Sequence, residues 1–273
     1  MLIDSHQHFW NYNKTRDAWI NKKMNVLKNN FLPDDLLTEL KNNNIEGCLA
    51  VQVDQSEAET EFLIQLAKKY SFIKGVIGWL DLKSNNIKSR LDYFSKYSCF
   101  KGVRHIVQSE SSGFLDQTTF LNGIAKLQEY NLTYDLLVFP NQLDEVIRFV
   151  KKFPDQIFIL DHMAKPLIKD KITQPWSDKI VELGKLENVS CKISGMITEA
   201  DWQNWTSSDF TPYIETVINA FGEDRVLYGS DWPVCLLAGT YSKVKKLIEG
   251  YFPTNKNSKF WGENAKKIYN LSD

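Results

Sequence analysis

The chain predicts a (β/α)8 TIM barrel on three observations. Eight short apolar runs of strand type alternate with helix-type segments along 273 residues. No Pro/Gly/Ser-rich stretch breaks the alternation and the 13 glycines are scattered, so 1–273 reads as one domain. A hydrophobic fraction of 43% supplies core enough for that length. A doubly wound sheet is the competing arrangement, but no glycine-rich phosphate loop follows the first strand.

The first strand is Met1-Leu2-Ile3 running into Asp4-Ser5-His6-Gln7-His8, where alternation predicts Asp4, His6 and His8 on one face and Ile3, Ser5 and Gln7 on the other. Residues 11–30 follow, aromatic and polar without periodicity, in a position to cover a site as a lid. Pro33 with Asp34 and Asp35 starts a helix, because proline suits the first turn and acids suit the positive end of the dipole. Gly47–Val53 is a strand, and Ser56 with Glu59 forms a capping box that opens the next helix. Phe72–Leu80, Phe100–Ile106, Leu132–Val138, Gln156–Asp161, Val189–Ser194 and Arg225–Ser230 are the remaining strands. Between and after them the helices run over Ile87–Phe94, Thr118–Tyr130, Gln142–Phe153, Trp176–Leu186, Pro212–Phe221, Tyr241–Gly250 and Phe260–Tyr269.

Charge and cysteine usage narrow the function. With 33 basic and 34 acidic residues interspersed and a net charge of −1, no basic stripe exists for nucleic acid or an anionic membrane, and a small molecule is the expected partner. Cys48, Cys99, Cys191 and Cys235 lie far apart with no Cys-x-x-Cys spacing, which suits reduced thiols in a cytoplasmic protein. No secretory leader and no membrane span is legible.

Barrel enzymes build their sites at the C-terminal ends of the strands. Those ends carry His6 and His8, Arg104 and His105, Asp161 and His162, Lys192 and Ser194, and Ser230 and Asp231. Closure sets the first strand beside the eighth, which makes Asp231 a neighbour of His6 and His8. A buried carboxylate there requires a cation or hydrogen-bond donors. For Arg104 the other reading is a structural ion pair below the site, and for Lys192 a side chain that reaches water.

Ile3-Asp4-Ser5-His6-Gln7-His8-Phe9-Trp10, Gly102-Val103-Arg104-His105, Asp161-His162-Met163-Ala164-Lys165-Pro166, Lys192-Ile193-Ser194-Gly195 and Gly229-Ser230-Asp231-Trp232-Pro233-Val234-Cys235 together resemble the sugar-lactonase branch of the amidohydrolase superfamily. The motifs occur in order from residue 3 to residue 235. The resemblance implies the (β/α)8 barrel and a site lined by the first-strand histidine pair and the eighth-strand aspartate. Relatives with a fuller metal set add a fifth-strand histidine, which Thr133–Val138 lacks, so a two-metal site is not expected. One divalent metal held by His6, His8 and Asp231, with His162 as a further candidate ligand and zinc suited to the nitrogen and oxygen donors, and a metal-free lactonase both remain open.

Hydrolysis of a small sugar-acid lactone is the activity this implies, with Asp231 as base. Arg104, His105 and His162 are expected to polarise the carbonyl or grip hydroxyls. Lys192, Trp10, Trp79 and Trp232 are expected to contact the sugar, with core packing as the other reading of the tryptophans. Rival readings are a decarboxylase or deacylase of the same superfamily and a sugar-binding barrel without turnover. Neither the sugar nor a homo-oligomer is legible in the chain.

Overall fold

Eight parallel strands in sequential order form the sheet of this computed structural model, which describes residues 1–272. They are β1 (Ile3–Gln7), β2 (Gly47–Val51), β3 (Ile73–Gly78), β4 (Phe100–His105), β5 (Thr133–Leu136), β6 (Phe158–Leu160), β7 (Val189–Ile193) and β8 (Val226–Tyr228). Just past the end of β8 the sheet closes: Asp231 N donates to His6 O and His8 N donates to Trp232 O, both at 2.8 Å. The backbone that seals the barrel is thus the same stretch that carries His6, His8 and Asp231.

Outside the sheet lie α1 (Pro33–Asn42), α2 (Glu57–Lys69), α3 (Ile87–Phe94), α4 (Thr118–Leu127), α5 (Leu143–Lys151), α6 (Trp176–Gly184), α7 (Thr211–Phe221), α8 (Tyr241–Glu249) and α9 (Asn264–Ile268). Strands are shorter than the apolar runs predict, because the last apolar residues of each run turn off into the loops above the barrel. In α2 only half of the expected capping box forms. Ser56 Oγ accepts from Glu59 N at 3.2 Å, but the Glu59 carboxylate accepts from the backbone amides of Val53 and Asp54 instead of closing on Ser56. Burial pushes the Glu59 pKa up to about 7.

The apolar interior has two parts. One fills the layer between sheet and helices, with Val76, Val103, Tyr134, Phe158 and Tyr228 facing outward onto it. The other is inside the barrel, where Ile3, Leu49, Val51, Ile77, Ile159 and Leu227 meet Ala265, Tyr269 and Leu271. The C-terminal segment therefore plugs the bottom of the barrel and leaves the top for chemistry. No helix among the described residues is long and apolar enough to cross a membrane.

Candidate active site

Strict alternation does not hold in β1. The register against β2 shifts between Asp4 and Gln7, so Ile3 and His6 both face the barrel interior although they stand three positions apart. Asp4 turns away from the site. Its Oδ1 accepts from His6 N at 3.1 Å and Ser230 N at 2.9 Å, and its Oδ2 accepts from Tyr241 Oη at 3.0 Å. It ties β1 to the end of β8 and to α8, and burial raises its pKa to about 6.

Above this tie, three imidazoles converge on one carboxylate oxygen. Asp231 Oδ1 lies 3.3 Å from His8 Nε2 and 3.9 Å from both His6 Nε2 and His162 Nε2. Asp231 sits at φ 57, and the turn after β6 places His162, Met163, Ala164 and Lys165 at φ 52, 54, 58 and 50. Left-handed backbone at successive side-chain-bearing residues is costly and persists where surrounding structure enforces it. Here it turns His162 back over the barrel, where Nδ1 meets Ser194 Oγ at 2.9 Å. Gly195 makes room for that ring: a Cβ there would stand 2.5 Å from His162 Nδ1. Burial lowers the His162 pKa to about 4 and holds His6 well below the usual histidine range, so both rings are neutral at pH 7. Burial alone would raise Asp231, but His162, His8 and Lys165 together keep its carboxyl below the usual range and ionised.

His8 provides a test of fit for a cation. Its Nδ1 is 2.8 Å from Val51 O, and because a carbonyl only accepts, Nδ1 carries a proton and Nε2 is the nitrogen turned toward the site. That nitrogen stands 3.3 Å from Asp231 Oδ1, and in the neutral ring the two are acceptors that a cation or a water's hydrogens would bridge. His6, His8 and Asp231 accordingly form a set able to hold a metal ion, and this donor set fits zinc.

Beneath His6 runs a buried ionic chain. Lys192 Nζ lies 2.5 Å from Asp135 Oδ2, 3.0 Å from Asp161 Oδ1 and 3.3 Å from His6 Nδ1. Asp161 Oδ2 takes Arg104 Nη1 at 3.0 Å, Arg104 Nη2 donates to Gln52 O, and Tyr269 Oη reaches Asp135 Oδ2 at 3.0 Å. Burial would raise Asp161, yet Lys192, His6 and Arg104 outweigh it and bring it well below the carboxylate range. Two carboxylates facing two cations keep this chain neutral, which permits its burial.

A cavity of about 620 Å³ opens above the strand ends. His8, Arg104, His162 and Asp231 form its floor, and residues 11–30 supply Arg16, Trp19 and Met24 to its wall. Lys192 does not reach it, being fully buried at the centre of the barrel. His105 also lies outside, since alternation in β4 points Arg104 inward and His105 toward the helices. There its Nε2 meets Glu110 Oε1 at 2.7 Å, its Nδ1 accepts from Trp79 Nε1 at 3.1 Å, and its ring stacks on Phe114. Trp79 is thereby turned away as well. Trp10 donates to Asn29 O and packs with Ile20 and Leu27, while Trp232 packs edge-on against Phe9 and Phe31.

The amidohydrolase family model matches residues 3–271. The chain belongs to the amidohydrolase family. It is 35% identical to an L-fucono-1,5-lactonase of Burkholderia multivorans, covering 100% of this chain and 97% of the relative. An L-fucono-1,5-lactonase of Burkholderia ambifaria is 28% identical over 98% of this chain and 95% of its own length. A crystal structure of an amidohydrolase from Burkholderia multivorans with bound zinc superposes with a TM-score of 0.95 at 36% identity, covering 100% of both chains.

Four residues of this amidohydrolase without an expected role, Trp19, Lys165, Glu199 and Trp202, also line the cavity. Lys165 stands inside the Asp161–Pro166 motif, so proximity to His162 was a signal for it. The others come from irregular loops whose fold carries no periodicity. On β5, the strand that lacks a histidine, Asp135 pairs with Lys192.

Proposed function

We propose that the protein is a hydrolase that opens a small sugar-acid lactone, an aldonolactone such as L-fucono- or L-rhamnonolactone, by attack of water on the ester carbonyl. The observation that carries this reading is the convergence of His6, His8 and His162 within 3.9 Å of Asp231 Oδ1, with His8, His162 and Asp231 on a cavity floor. The substrate class is supported by the Burkholderia multivorans L-fucono-1,5-lactonase, aligned over the whole chain.

Asp231, held ionised, accepts a proton from a water oriented by His6 and His8 and later returns it to the departing ring oxygen. Negative charge developing on the carbonyl oxygen is met by Arg104, whose cationic group borders the cavity, with His162 as a neutral partner. His6, His8 and Asp231 would hold a zinc ion, which supplies Lewis acidity toward the carbonyl and makes water a stronger acid.

A panel of aldonolactones read with a pH indicator tests the activity. Acid release above the spontaneous rate supports it; none across six-carbon and deoxy-sugar lactones removes it. Chelation of protein checked by metal analysis then separates two uses of the histidines. Activity lost and restored by zinc assigns them to the ion, and activity retained assigns them to water.

A further inference from the structure

Lys165 and Glu199 form an ion pair that stops short of contact. Nζ and Oε1 stand 3.9 Å apart, and neither side chain has a hydrogen bond within the protein among the described residues. Both line the cavity and are mostly buried, at 21% and 24% side-chain exposure. Both backbones are pegged. Lys165 ends the left-handed turn after β6, with its N donating to His162 O at 2.8 Å. Glu199 follows a 3-10 turn after β7, its N bonded to Met196 O at 3.1 Å and its O accepting from Lys169 N at 2.9 Å. Beside them Trp202 adds an aromatic side chain to the cavity wall, pegged by Nε1 to Thr198 O at 2.8 Å. A cation whose other neighbour is the Phe139 ring at 5.6 Å, a carboxylate and an aromatic side chain match what a polyhydroxylated ring offers.

We propose that Lys165 and Glu199 are specificity-determining residues that bracket one ring hydroxyl of the lactone, Lys165 donating to its oxygen and Glu199 accepting its hydrogen. This rests on the lactone reading of the site. A hydroxyl inserted between them completes both groups at once, so a substrate lacking it leaves a cation and a carboxylate half-desolvated.

The test uses aldonolactones lacking one hydroxyl at a time, together with the matching aldonolactams, which bind without being opened. Removing one particular hydroxyl should cost the wild type on the order of 10–100-fold in kcat/KM, expressed mainly in KM, with a matching loss in lactam Kd. Lys165→Met and Glu199→Leu should lose that discrimination, and Lys165→Arg should recover part of it. Variants that discriminate between hydroxyls as the wild type does overturn the proposal. A wild type that opens no lactone while its lactam binding still depends on this pair defeats the reaction reading alone.

Discussion

Asp231→Asn keeps the shape of the side chain and removes its basicity. Loss of a positioned base typically costs about 10²–10⁴-fold in rate, and that loss in kcat is expected here with or without zinc, measured on the best aldonolactone. Replacement of His6 or His8 should approach the same loss only if chelation abolishes activity. The reason is local: Asp231 Oδ1 lies within 3.9 Å of a ring nitrogen of His6, His8 and His162, where a water held by these rings would meet it. Close fit extends to Gly229, where a Cβ would stand 2.7 Å from His6 Cβ and 2.9 Å from Ser194 Cβ.

At the scale of elements, residues 11–30 and the β2–α2 loop shape the cavity mouth. Deleting part of the first would expose Ile20 and Leu27, both buried, and so damage fold and activity together. Trp19 is 42% exposed yet borders the cavity, so Trp19→Ala should raise KM for the lactone while the melting temperature changes little. In the second loop, Glu59 grips the amides of Val53 and Asp54, and Asp54 and Gln55 line the cavity. Its folded pKa of about 7 exceeds the ordinary 4.5, so the native state binds the proton more tightly than the unfolded chain. The stabilisation tied to that proton is complete below about pH 4.5 and is lost as pH rises through about 7. Melting temperatures from pH 5 to 8 should therefore fall in the wild type and fall less steeply in Glu59→Gln.

Across the whole molecule, the C-terminal plug and the active site share one buried ionic chain. Tyr269, near the chain's end, donates to Asp135, which pairs with Lys192, which touches His6. Tyr269→Phe leaves the ring packed and Asp135 short of a donor, and should cost about 1–3 kcal/mol of stability in denaturant unfolding. Because Tyr269 does not line the cavity, KM should stay unchanged; a raised KM would place Tyr269 in substrate binding.

The eight strands, the helix that Pro33, Asp34 and Asp35 begin, and the grouping of His6, His8, His162 and Asp231 were legible because they follow local rules. Apolar runs, dipole-matched acids and the geometry of barrel closure are all written in residue order. Alternation in β1 misdirected Asp4, since a register shift depends on the neighbouring strand. His105 and Trp79 found each other, and Glu110, in a layer behind the sheet. Lys192 appeared to be a residue at a strand end, but Asp135 and Asp161 hold it in the barrel centre. By itself the sequence determined the barrel and the carboxylate with its histidines, because strand ends and closure follow from periodicity. Only the tertiary structure decided which side chains face the cavity, because inward or outward placement and loop contacts depend on partners distant in the chain.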